Sequence, residues 1–151
     1  MADHSGTAVF GGYGLAIEYR YELARDLRPP LMRGQPIEKR VAFIMLNPSD
    51  ATEEFDDPTV GRCIGFGRSL GGDVLEVGTL FALHSTNPKA LYSHPDPVGP
   101  ENDEHLVTIA RRASLLICAW GIHGAHLGRG ARVEEMLRAA GVKPMALCLT
   151  R

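Results

Sequence analysis

Residues 45–59, MLNPSDATEEFDDPT, hold the densest chemistry in the chain. They carry an amide at Asn47 and five carboxylates, Asp50, Glu53, Glu54, Asp56 and Asp57, with prolines at 48 and 58. Proline disfavours the α region for the residue before it, so Asn47 and Asp57 are held extended. A loop stiffened in this way can hold an amide or a carboxylate against a substrate. Asn, Asp, Ser and Pro are also ordinary turn formers. Turn chemistry with helix capping by Asp57 therefore accounts for the same residues equally well.

Three further groups could act with it. His84-Ser85-Thr86-Asn87-Pro88 offers an imidazole and two hydroxyls for a phosphate or a base edge, or is simply a polar loop. Trp120-Gly121-Ile122-His123-Gly124-Ala125-His126 offers an indole for stacking beside glycines that permit close approach, or a packing tryptophan. His123 and His126 are three apart, but no third ligand has a matching spacing, so no metal is expected. The basic group is Arg62 and Arg68, Arg111-Arg112, and Arg129 and Arg132. Arg62, one turn into a helix, is suited to an anion at the helix N-terminus, or to pairing with Asp56 or Asp57; the pairing is the simpler expectation. No P-loop, GxGxxG, GxSxG or HExxH pattern is present, and no cofactor is expected.

The elements that must position these groups can be read from the apolar pattern. VAFIML (41–46), VLEVGTLFAL (74–83), LLICAW (115–120) and MALCL (145–149) are short apolar runs, as in strands covered on both faces. Between them lie helix patterns at 58–70, 102–112 and 129–140. The first has Asp57 as N-cap, Pro58 at its first position and Gly71-Gly72 as its stop. Glycines 61, 65 and 67 weaken this helix and let it pack closely. Residues 17–27 read as an edge strand or a short helix, 28–39 as a connection, and 1–14 as loose chain or a short edge strand.

The order βαβαβαβ predicts one α/β domain over 1–151, a three-layer α/β/α sandwich with a central, mainly parallel sheet of at least four strands. Its core should include Phe43, Ile44, Val77, Leu80, Leu116, Ile117, Leu147 and Leu149. In such sheets ligands bind outside the carboxyl ends of the strands. The predicted site is therefore one pocket collecting Asn47, Pro48, Ser49, Asp50, Asp56, Arg62, Phe66, Thr79, His84, Trp120, Gly121 and His123.

Composition narrows the class. The 151 residues are 44% hydrophobic and 23% charged, as in an ordinary globular domain. A formal net charge of −2 supplies no broad basic field for non-specific nucleic-acid binding. Cys63, Cys118 and Cys148 form no disulfide framework, and Cys118 and Cys148 should be buried thiols. With no signal-like N-terminus and no 20-residue apolar run, a cytoplasmic protein without a membrane partner is expected.

The run FIMLNPSDATEEFDDPTVGRCIGFGRSLGGDVLEVGTLFALHSTNPKAL, followed by ICAWG, resembles the domain-of-unknown-function family numbered 1643 over roughly 8–150. The resemblance implies that a Gly-x-Pro-x-His-Pro-Leu motif would follow Arg151. Asn47-Pro48 after the first core strand also resembles, more distantly, the Asp/Asn-Pro motif of uracil-DNA glycosylases. That likeness implies that Asn47 orients a water towards the sugar C1′, with Asp50 or Asp56 as the base that accepts its proton and Phe66 or Trp120 stacking on the nucleobase. Thr79 stands where those enzymes carry a base-reading Asn, and their His-Pro-Ser motif would fall beyond Arg151. The expected function is action on a nucleobase, nucleotide or nucleic acid by N-glycosidic hydrolysis. The rivals are a non-catalytic binding module of the same fold and a metal-dependent hydrolase using Asp56, Asp57 and His123.

Overall fold

A computed structural model describes residues 5–12, 18–85, 87 and 89–146. Strands β1 (Gly6–Gly11), β2 (Tyr19–Asp26), β3 (Arg40–Met45), β4 (Val74–Thr79) and β5 (Leu115–Ala119) form one sheet, ordered β1-β2-β4-β3-β5. The helices are α1 (Pro58–Ser69), the single-turn α2 (Ala90–Ser93), α3 (Asn102–Arg112) and α4 (Arg129–Ala139). The protein is thus α/β.

β3 is the apolar run RVAFIM, and Val41, Ala42, Phe43 and Ile44 are all buried. It lies parallel to β4 on one side and to β5 on the other. One face of the sheet packs Leu23, Val41, Phe43, Val77 and Ile117 against Val60, Cys63 and Ile64 of α1. The other packs Ala42, Ile44 and Leu116 against Leu106 and Ile109 of α3 and Val133 and Leu137 of α4. Each such aliphatic side chain contributes about 1.5–3 kcal/mol on burial. Of the expected core residues, Leu80 is also buried, and Leu147 and Leu149 lie outside the described residues.

The sheet is mixed, which corrects the expectation of a mainly parallel one. β2 is an inner strand, antiparallel to both β1 and β4. This corrects the expectation of an edge strand or a short helix over 17–27, and the polar residues of β2 are satisfied internally. Glu22 accepts from His105 Nδ1 at 2.6 Å and Arg112 Nη2 at 2.7 Å on α3, and Arg112 Nε also reaches Glu76 of β4 at 2.7 Å. β4 ends at Thr79, earlier than the apolar run suggests. The backbone of Leu80 and Phe81 then bonds to Met45 and Leu46 rather than extending a ladder. Of the expected strand at 145–149, Met145 makes one parallel bridge to Ile117, and 147–149 lie outside the described residues.

Asp57 caps α1, its Oδ1 accepting from the Val60 N–H at 2.9 Å, and the helix ends at Gly71, whose φ of +72° suits glycine. Of the three glycines inside α1, only Gly67 mediates close packing: a Cβ there would come within 2.9 Å of Leu27 Cδ1. Among the described residues no helix is long and apolar enough to cross a membrane.

Cys63 is buried and Cys118 is half-buried rather than fully buried; both are free thiols, and Cys148 lies outside the described residues. Burial pushes the Cys63 thiol up to about 11 and that of Cys118 up to about 12. Thiolate is the reactive form. Native protein at pH 8 is therefore expected to react with an aromatic disulfide reagent at these two positions far more slowly than urea-unfolded protein. Residue-resolved mass spectrometry reads the outcome. Prompt labelling of either in the native state contradicts it.

Candidate functional site

Beyond the carboxyl end of β3 lies a cleft of about 410 Å³. That size falls within the range of small-molecule sites. Its floor is the segment Leu46, Asn47, Pro48, Ser49 and Asp50, joined by the Asp57 cap. Ser85 follows β4, and Leu91 and Tyr92 come from α2. His123 closes the far wall from the 3-10 segment Ile122–Gly128.

The floor is held from below by buried arginines of β2. Arg20, 3% exposed, donates through Nη1 to the Ser49 carbonyl at 3.1 Å and the Ala51 carbonyl at 2.7 Å. Desolvation lowers its guanidinium to about 10, with Asp57 partly offsetting. Arg25, 1% exposed, pairs through Nε with Asp56 Oδ1 at 2.8 Å and donates through Nη2 to the Thr52 and Phe55 carbonyls. Asp57 adds a tie, its Oδ2 accepting the Asp50 N–H at 3.1 Å.

The loop's backbone is thus fixed while side chains that line the cleft stay uncommitted. Among the described residues Asn47 makes only a long 3.4 Å contact from Nδ2 to the Pro48 carbonyl. The Ser49 hydroxyl is buried without a hydrogen-bond partner among the described residues. The exposed Asp50 carboxylate has no partner among them either. Opposite, Tyr92 Oη and His123 Nδ1 are 2.8 Å apart. Tyr92 is braced edge-on against His126, ring centroids 4.5 Å apart, and His126 lies 5.6 Å from the buried Phe81. Leu127, at φ +54°, is the one non-glycine residue with positive φ among the described residues, in the turn leading to α4.

Asn47, Pro48, Ser49, Asp50 and His123 therefore share one cleft, and the other expected site residues do not line it. Asp56 is turned away to Arg25. Arg62, expected to pair with Asp56 or Asp57, makes no such pair, because Arg25 holds Asp56 and backbone N–H groups hold Asp57. Arg62 and Phe66 line a separate apolar groove of about 450 Å³ between α1 and the sheet. Thr79 is buried, with Oγ1 donating to the Phe81 carbonyl at 2.8 Å. The His84 ring lies 6.4 Å from Phe10, and the backbone N–H of His84 donates to the Glu18 carbonyl. Thr86 and Pro88 lie outside the described residues. Gly121, at φ +68°, makes the turn that delivers His123.

Trp120 is a packing residue, half-buried against the α3–α4 core. A Cβ on Gly124 would lie 2.8 Å from its Nε1 and nearer still to Cδ1. Gly124→Ala is expected to cost about 1–3 kcal/mol through overpacking, seen as a lower urea midpoint. An unchanged midpoint would mean that the indole moves freely.

Asp56, Asp57 and His123 do not converge as metal ligands. Among the described residues no group of three His, Cys, Asp or Glu side chains is placed to hold an ion. Sequence reasoning missed Tyr92, Leu91 and the two arginines, whereas Ser85 belongs to the hydroxyl group at 84–88 that it singled out. Arg20 alone left a trace, an arginine between two tyrosines in a strand pattern.

The sheet and its cleft define an α/β protein with a polar cleft at the carboxyl edge of its parallel strands. The chain belongs to the protein family of unknown function DUF1643, whose family model matches residues 20–151. No curated protein and no solved structure matches it.

Proposed function

We propose that the cleft binds a nucleobase-bearing ligand and hydrolyses its N-glycosidic bond. The observation that carries this reading is the loop 47–50, whose backbone is fixed by Arg20 and Asp57 while Asn47 and Asp50 remain free to meet a ligand. Support also comes from its position beyond a parallel strand, where ligands of such sheets bind. The likeness of Asn47-Pro48 to the glycosylase motif adds to it.

Asn47 orients a water and Asp50 accepts its proton as the water oxygen bonds to C1′. The C1′–N bond breaks and its electron pair leaves with the base. His123, whose Nδ1 accepts from the Tyr92 hydroxyl, donates an Nε2–H hydrogen bond to the departing base, which takes its proton from solvent. Tyr92 thereby fixes the ring's orientation.

The test is to incubate the protein with nucleosides, nucleotides and uracil-containing duplex, and to follow free base by chromatography. Base release that is lost in Asn47→Ala supports the reading. Binding without release favours the non-catalytic module, towards which Thr79 leans because its hydroxyl is committed to Phe81 and cannot read a base. Neither binding nor release of any of these ligands would sink it.

A further inference from the structure

We infer that the cleft selects an uncharged nucleoside or free base and rejects the phosphorylated forms, nucleotides and nucleic-acid strands alike. This rests on the reading of the cleft as a nucleobase site and concerns its electrostatics.

The charged side chains lining the cleft are Asp50 and Asp57, and no Lys or Arg joins them among the described residues. The nearest guanidiniums are already spent. Arg20 lies beneath the floor on two carbonyls, Arg25 is on Asp56, and Arg129 donates to the Leu80 carbonyl and Asp103. Arg62 belongs to the neighbouring groove. The one feature near the cleft that ordinarily takes a phosphate is the N-terminus of the 12-residue helix α1. There the Asp57 carboxylate already occupies the anion position, with Oδ1 on the Val60 N–H and Oδ2 on the Asp50 N–H. A phosphate entering would meet two carboxylates and find its natural seat taken.

The uncommitted groups suit a neutral heterocycle instead. The Asp50 carboxylate accepts from ring or exocyclic N–H, and the Asn47 amide both donates and accepts. Cytidine is a fitting probe, because carboxylates accept from its exocyclic amine.

Calorimetric titration at low salt, with cytidine, cytidine 5′-monophosphate and a short single-stranded oligonucleotide, tests the inference. The nucleoside is expected to bind at least about tenfold more tightly than the monophosphate or the oligonucleotide. The gap should narrow with added salt and in Asp50→Asn, an exposed position whose change leaves the fold intact. Equal or tighter binding of the monophosphate or the strand would overturn this selectivity while leaving the nucleobase site standing. A gap unaltered in Asp50→Asn would overturn it too. Absence of binding by all three would overturn the site reading and this inference together.

Discussion

Replacing Arg25 with methionine is expected to lower the unfolding free energy by about 3–5 kcal/mol, the cost of removing one partner from a buried charged network. The guanidinium is 1% exposed and its donors reach Asp56, the Thr52 and Phe55 carbonyls, and the carbonyl of its neighbour Ala24. Methionine fills much of the same volume but removes this donor from each of them. The packing around it leaves little room to adjust, since Gly6 of β1 lies so close that a Cβ there would be 2.5 Å from Arg25 Nη1. Arg25→Lys keeps the charge and loses the planar fork, so an intermediate loss is expected. Urea denaturation at neutral pH measures both. A shift below about 1 kcal/mol for the methionine variant, the range of ordinary surface substitutions, would mean that loop 52–56 does not depend on this arginine.

The same arginines explain why part of the fold was legible from residues alone and part was not. β3 and β5 announce themselves as unbroken apolar runs, and α1 by Asp57-Pro58 at its start and Gly71 at its end. These are local signals. The place of β2 is not local. Arg20, Glu22 and Arg25 look like solvent-facing residues of an edge strand, and only their long-range partners (loop carbonyls, Asp56, His105 and Arg112) make them inner residues. The sheet is mixed for that reason. The site divides in the same way. Residues 47–50 follow directly from the end of a buried strand. His123 meets Tyr92 only because α2 and the segment after Gly121 fold towards each other. Trp120 was drawn to the site by its aromatic character, but the glycines at 124 and 130 make room for its indole in the core. Asp56 and Asp57, adjacent in sequence and chemically alike, take different tasks because one meets Arg25 and the other the start of α1.

Asn47→Ala is expected to reduce base release about 10²–10⁴-fold, the usual worth of a positioned group that acts on the proton-transferring water. Asp50→Asn should match it through loss of the base itself. Neither change should alter the unfolding free energy by more than about 0.5–1 kcal/mol. Asn47 makes one long contact to the Pro48 carbonyl, and the Asp50 side chain has no partner among the described residues, so little native structure depends on either. The contrast with Arg25 is the point of the measurement. Arg25 is expected to lose stability first and activity as a consequence, whereas Asn47 and Asp50 should lose activity with the denaturation midpoint in place. Should Asn47→Ala instead unfold the chain while ligand binding survives in the fraction that stays folded, Asn47 is a turn residue that terminates β3, and the chemistry assigned to it belongs elsewhere.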